Sequence, residues 1–357
     1  MEIGQFAFFK RNLPSQTTLI YTGHNMARVA GLESQVFSFG LIPSLIRSLS
    51  AGEWDVVFCH APVRPLWDRR HGLPVALKEF FRRLDRIRTL GTGILGALPA
   101  SPLVMLDFND ESVIPAHVFP LLDRAMLCFK RELPKDFAKS FLDSTPRHRT
   151  HRDVMSSPFV RRNLAKLRPI SAGVSEETVR QALAIRASKD VDVFFAGSVN
   201  STLRTAGLPV LRSLQAHGYV VDVCEGGLSQ SEYLARCARA WLTWSPEGYG
   251  WECLRHYEAS LCLSVPVLNQ PGIYRHHPLL DRQHAIYYPA EGQGLREAIT
   301  AALADKPTLA VMAQAARAHA LAYHTHDRMI DYMLDAAMAE IAARSASDGH
   351  AEGSGEP

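Results

Sequence analysis

Between Ser245 and Leu268 the chain reads SPEGYGWECLRHYEASLCLSVPVL, the stretch with the densest supply of residues that could do chemistry. Glu247-Gly248-Tyr249-Gly250 is a polar, glycine-bearing loop. The pattern after it predicts about three helical turns, and then a short apolar strand at Val265-Pro266-Val267-Leu268. Glycine lets backbone approach a ligand, and a helix that starts just beyond it offers unpaired N–H groups and a positive dipole end to a phosphate. Glu258, well down that helix, reads as a ligand-facing carboxylate able to accept from ribose hydroxyls, with Arg255 on a neighbouring face. A phosphate cradle beside such an acid points to a nucleotide-sugar site. Trp251 follows the second glycine directly and is grouped with the same candidate contacts.

A second phosphate or sugar contact is predicted at Gly197-Ser198-Val199-Asn200-Ser201. Arg204, just beyond it, is placed to neutralise a diphosphate leaving group with bidentate hydrogen bonds, in competition with Arg255. Ser201-Thr202 also suits a helix N-cap, and the two roles are compatible. In the first half, Asp107-Phe108-Asn109-Asp110 ends a strand, where ligands meet open α/β sheets. Asp110 reads as an acceptor-side polar group or general base, or as part of a capped turn, and His60 after another strand has the same standing. His24 and Lys130-Arg131-Glu132 are further loop candidates, the latter for an anionic group or as a plain solvated charge run.

Several chemistries are excluded by their missing patterns. The chain has no G-x-S-x-G, no Walker A lysine motif and no G-x-G-x-x-G near its first strand. His276-His277 and His324-x-His326 lack zinc-site spacing, so no metal and no cofactor are expected. The net charge of +3 gives no global reason to expect nucleic acid. Six cysteines without a C-x-x-C read as reduced thiols of a cytoplasmic protein, and the first residues lack the order of a signal peptide. No apolar run reaches the length of a transmembrane helix.

These residues need a scaffold that presents strand ends. Strand-length apolar runs at 6–9, 18–21, 55–59, 103–107 and 124–129 alternate with helical stretches at 41–50, 74–90 and 115–122. A second series of strands falls at 191–196, 219–224, 240–244, 265–268 and 285–288. The alternation predicts an α/β protein with mainly parallel sheets, and the length of 357 residues predicts two domains. Between the series, residues 134–189 are basic and rich in Pro and Ser, including Arg147, His148, Arg149, His151 and Arg152. That cluster suits an anionic acceptor or a membrane surface contacted peripherally, and equally plain solvation. The expected boundaries are 1–170 for the first domain, 171–328 for the second, a helix over 329–344 that returns to the first, and a disordered tail over 345–357.

The order of parts around Glu247 resembles the donor-binding signature of GT-B glycosyltransferases. Glu247-Gly248-Tyr249-Gly250 matches its first half, and Glu258-Ala259 with Val265-Pro266-Val267 matches its second. Gly250-Trp251 and Arg255 make the segment similar to the exostosin-like and CgeB-like branches beside the group 1 enzymes. Its two glutamates lie farther apart, by nearly one helical turn, than in the commonest retaining families. Leu263-Ser264 replaces the usual glycine. The resemblance implies a GT-B fold, with two Rossmann-like domains facing across a cleft. It further implies a nucleotide-sugar donor on the second domain and a glycan or other small acceptor on the first. Transfer would be retaining and metal-independent, with Glu247 near the transferred sugar and Glu258 on the ribose. A nucleotide-sugar epimerase of the same fold and a non-catalytic nucleotide-sugar-binding protein are the alternatives.

Overall fold

The computed structural model describes residues 6–12, 16–21, 32–36, 47, 51, 56–61, 102–142, 151–289 and 294–352. The helical stretch expected at 74–90, most of that at 41–50, His24, and Arg147, His148 and Arg149 lie outside them. The chain divides into two compact units. Unit 1 comprises Met1–Lys130, Asp136–Arg168 and Asp331–Pro357, and unit 2 comprises Arg131–Lys135 and Pro169–Ile330.

Unit 1 is built on a seven-stranded sheet of β1 (Phe6–Asn12), β2 (Gln16–Tyr21), β3 (Leu32–Val36), β4 (Val56–His60), β5 (Leu103–Asp107), β6 (Leu127–Lys130) and β7 (Leu167–Pro169). The strand order is β3-β2-β1-β4-β5-β6-β7. The β2–β3, β4–β5 and β5–β6 pairs are parallel, as the alternation implied, but β1 is antiparallel to both β2 and β4. The connection from Asn12 to its register partner Gln16 is too short for a parallel crossover, so the first two strands pair as a hairpin. Helices α1 (Phe119–Arg124), α2 (His151–Ser156) and α3 (Pro158–Leu164) accompany the sheet. Both β5 and β6 are buried along their whole length, as expected of strands covered on both faces.

Unit 2 holds a five-stranded, wholly parallel sheet of β8 (Val191–Ala196), β9 (Val221–Cys224), β10 (Ala240–Trp244), β11 (Val265–Asn269) and β12 (Ile286–Tyr288). Its order is β12-β11-β10-β8-β9. Around it lie α4 (Glu176–Ala184), α5 (Thr202–Gln215), α6 (Gln230–Arg239), α7 (Leu254–Leu261), α8 (Leu295–Leu303) and α9 (Lys306–Tyr323). Alternate residues of β8 enter different cores. Phe194 and Ala196 join Tyr233 and Cys237 of α6, whereas Val193 and Phe195 join Leu208, Leu211 and Leu214 of α5. Apolar side chains on both faces make the sheet doubly wound.

A last helix, α10 (His326–Glu352), begins in unit 2 and continues in unit 1. It runs past Ser345, where the composition reads as a disordered tail. No proline interrupts the sequence before Pro357, and a propagating helix adds one hydrogen bond per residue. Among the described residues no helix is long and apolar enough to cross a membrane.

Candidate functional site

In unit 2 the chain moves from β8 outward to β9, then returns to β10 on the other side of β8. The loops that follow β8 and β10 therefore diverge, which opens a crevice at the carboxyl ends of these two neighbouring strands. The residues singled out by sequence in this half fall on those two loops, on the first turn of α5 and, with Arg255 and Glu258, on the first and second turns of α7.

Arg204 lies beneath both loops. It is 2% exposed, and its Nη1 donates to Ser198 O at 2.9 Å and to Asn200 Oδ1 at 2.8 Å. Its Nη2 reaches Pro246 O at 3.3 Å, and its Nε is buried without a partner. A Cβ on Gly248 would sit 2.9 Å from Nη2, so a larger residue there would displace the guanidinium. Through Nη1 and Nη2, Arg204 joins Ser198 and Asn200 of the first loop to Pro246 of the second and so ties the loops together. Burial first, and then the charge of Arg255, pull its pKa down.

Arg255 is only partly buried. Its Nη1 donates to Ala196 O at 2.7 Å and its Nε to Cys253 Sγ at 3.4 Å, while Nη2 has no hydrogen-bond partner among the described residues. Gly197, at φ +152°, makes room for this guanidinium, with which any Cβ would collide. Neither Arg204 nor Arg255 has a carboxylate at ion-pair distance among the described residues.

Glu247 is held by Asn269, a residue the sequence reading missed. The Asn269 side chain accepts the Glu247 N–H at 3.0 Å and donates to Glu247 Oε2 at 3.0 Å, and Ser201 Oγ donates to Glu247 O at 3.1 Å. Its one sequence signal is a polar residue ending the otherwise apolar strand VPVLN. Tyr249 stands 80% exposed on a turn closed by Gly248 N–H to Gly250 O at 3.0 Å. Trp251, expected to contact a ligand, is instead 5% exposed and lies in the core. Its indole N–H is spent on Asn269 O at 2.9 Å, and Arg275 covers its ring at 4.9 Å.

α7 is shorter than expected, eight residues starting at Leu254, because residues 251–253 stay outside the helix. The Glu132 carboxylate takes the N–H groups of Trp251 at 2.9 Å and Glu252 at 2.8 Å. His256, buried in the first turn of α7, spans the loop. Its Nε2 donates to Trp251 O at 2.9 Å, which leaves Nδ1 to accept from Ser245 Oγ at 2.9 Å. Burial pushes this imidazole down to about 3, so it stays neutral. Glu258 lies on the same helix, 7% exposed, and accepts from Gln230 Nε2 at 2.8 Å. Burial raises its pKa, against the opposing effects of that hydrogen bond and of Arg255. After α7, Leu263 takes φ +57°, the left-handed conformation that favours glycine.

In unit 1, Asp107 and Lys130 are cross-strand register partners and form a fully buried ion pair at 2.8 Å. The second Asp107 oxygen accepts the Asn109 N–H at 3.1 Å, and Lys130 also donates to Glu111 O at 2.8 Å. The expected contact of Lys130 with an external anion is corrected, since its ammonium is spent internally. Asp107 is likewise committed to Lys130, and exposed Asp110 lies beyond the turn. His60 ends β4 opposite Leu106, at the carboxyl ends of the same parallel strands. His277 stacks on Tyr323 and His324 on Tyr257, so these rings serve packing. Among the described residues no group of His, Cys, Asp and Glu is arranged to hold a metal.

No family model and no curated protein matches the sequence. Among solved structures the chain is similar to Alr3699/HepE from Anabaena in complex with UDP-glucose, at 12% identity over 85% of this chain and 86% of that one, with a TM-score of 0.43. It is similar to sucrose-phosphate synthase from Thermosynechococcus elongatus at 12% identity, over 85% and 93% of the two chains, with a TM-score of 0.45. The C-terminal domain of a group 1 family glycosyl transferase (LpcC) from Francisella tularensis matches 43% of this chain and 96% of its own, at 11% identity and a TM-score of 0.30.

Proposed function

We propose that unit 2 binds a nucleoside-diphosphate sugar and that the chain is a glycosyltransferase of GT-B type. The acceptor, a glycan or other small molecule, would be taken by unit 1. One observation carries the reading. Two arginines without a carboxylate partner converge on two glycine loops at the topological switch point of a doubly wound sheet. A site with surplus positive charge and close backbone approach suits a diphosphate.

In this reading the diphosphate lies against the loop over 197–201 and the first amides of α7, facing Arg255 Nη2. Glu258, steadied by Gln230, accepts hydrogen bonds from the ribose hydroxyls. Glu247, presented by Asn269, faces the sugar that is transferred. Arg255 and the helix N–H groups stabilise the charge that develops on the departing diphosphate, a task that needs no metal ion. The donor's glycosidic C–O bond breaks as the acceptor oxygen bonds to the same carbon from the same face, and the acceptor hydroxyl's proton passes to the departing diphosphate oxygen, with retention of configuration. The free thiols Cys237 and Cys262 fit a cytoplasmic setting.

Calorimetric titration with UDP, GDP and ADP and their glucose conjugates tests the binding step, with at least one expected to bind. A labelled donor incubated with and without acceptors then separates transfer from interconversion of the donor sugar. Binding of none of them overturns the reading. Sugar interconversion without acceptor would make the protein an epimerase, and binding without turnover a binding protein. Transfer that stops in EDTA and resumes with magnesium would overturn the metal-free mechanism.

A further inference from the structure

For five residues, Arg131–Lys135, the first half of the chain belongs to unit 2. Pro134 forms an antiparallel bridge with Ile273, Lys135 N–H donates to Gly272 O at 3.0 Å, and Tyr274 N–H donates to Leu133 O at 2.7 Å. This stitching presents one side chain, Glu132, to the loop that follows β10. Its carboxylate is 3% exposed and accepts from two consecutive amides, Trp251 through Oε2 and Glu252 through Oε1. A buried carboxylate is costly unless its oxygens are paired, and here each oxygen takes a backbone N–H just ahead of a helix N-terminus.

The consequence is geometric. Glu132 fixes the exit of the loop, His256 ties that exit to the entry at Ser245, and Asn269 holds Glu247 between them. The 251 and 252 amides are thereby committed within the protein, and the loop that carries Glu247 is held at its exit. The Glu132 carboxylate is matched to two parallel N–H groups in a way a neutral amide cannot reproduce, because glutamine would turn its NH2 toward one of them.

We infer that Glu132 is a positioning residue of the donor site. Through the amides of Trp251 and Glu252 it sets where Glu247 stands relative to Arg255 and Glu258. The inference rests on the donor-site reading of unit 2. It predicts that loss of the carboxylate leaves the nucleotide held but misplaces the residue that faces the transferred sugar.

The test uses Glu132→Ala and Glu132→Gln in the full chain, with two readouts. Hydrogen exchange followed by mass spectrometry should show the peptide over 245–253 exchanging at least about tenfold faster in Glu132→Ala, with β8 and α6 unchanged and Glu132→Gln intermediate. UDP and GDP titrations should show less than about threefold change in Kd, while kcat falls by about ten- to a hundredfold at nearly constant donor KM. Unchanged exchange over 245–253, faster exchange throughout unit 2 in both variants, or an unaltered kcat would overturn the inference. If the wild type binds neither nucleotide nor any donor, the donor-site reading fails instead, and the exchange result still decides whether Glu132 holds the loop.

Discussion

Unit 1 and unit 2 each bury a cation at the carboxyl ends of parallel strands, and they satisfy it differently. Lys130 faces Asp107 at 2.8 Å and Glu111 O at 2.8 Å, so its charge is neutralised within the unit. Arg204 and Arg255 receive only neutral acceptors, namely carbonyls, an amide oxygen and a sulfur. A strand end is therefore a permissive location, and the charge balance there separates a structural pair from a candidate anion site. The same contrast distinguishes the two arginines, because both Nη atoms of Arg204 donate to the loops whereas Arg255 keeps Nη2.

The sharpest way to break the contrast is to unpair the buried ion pair. Lys130→Met strands Asp107 without its cation, which should cost about 3–5 kcal/mol of stability. The folded fraction should bind nucleotide with unchanged affinity. Urea unfolding and calorimetry on one preparation check both halves, and a change in nucleotide Kd would place Lys130 in the binding site.

Arg255→Ala should lower transfer by about two to three decades, since it removes the cation expected to meet the leaving group. Stability should change little, because only carbonyl and thiol contacts are lost. Arg204→Ala should differ in kind, loosening both loops and lowering thermal stability together with binding. Equal kinetic and thermal effects in the two variants would erase the distinction between a ligand-facing arginine and a loop-tying one.

A pH experiment tests the titratable groups buried in α7 and just ahead of it. Burial pushes the Glu252 carboxyl up to about 7, against hydrogen bonds from Tyr257 Oη and the Ala172 N–H. The unfolded carboxyl titrates near 4.5, so the folded state holds the proton more tightly. The stabilisation this supplies is complete below the unfolded pKa and is lost as pH rises through 7. Buried His256, depressed to about 3, has the opposite sign, and its contribution is lost as pH falls below its unfolded value. Glu252→Gln isolates the first effect. The unfolding free energy of wild type minus variant should decline by on the order of 3 kcal/mol from pH 4.5 to 8. A constant difference would mean that Glu252 keeps the same pKa folded and unfolded, as a solvated carboxyl does.

The strands of unit 2 were legible because fully covered parallel strands are continuous apolar runs bounded by turns, as at VDVFFA and AWLTW. In unit 1, β3 (LESQV) was not, being short and half polar, and β7 was hidden in a stretch that reads as irregular. Gly197, Gly248, Arg204 and Arg255 stand out in the sequence because their types name a chemistry, whereas the atoms each of them meets do not. Asn269, Glu132 and His256 do not stand out, since their roles exist only through hydrogen bonds to distant backbone. Glu132 lies 119 residues from Trp251, and no local pattern carries that pairing. Trp251 was misread for the converse reason, because adjacency to a glycine loop does not tell which way an indole turns.

The smallest effect belongs to Glu258. Glutamine at this position keeps an oxygen for Gln230, so the fold should be retained, and the change removes a charge while leaving the shape. A carboxylate accepts more strongly from hydroxyls than an amide does, so affinity for the nucleotide sugar should fall about tenfold, or about 1.4 kcal/mol. Because burial raises the Glu258 pKa, the wild-type side chain loses its charge advantage as pH falls. The ratio of variant to wild-type Kd should therefore be larger at pH 8 than at pH 6. Calorimetry at the two pH values, with Asp107→Asn as a control that leaves affinity alone, reads this directly. Equal affinities of Glu258→Gln and wild type at both would remove Glu258 from the site, leaving the unpaired arginine and the glycine loops as its only determinants.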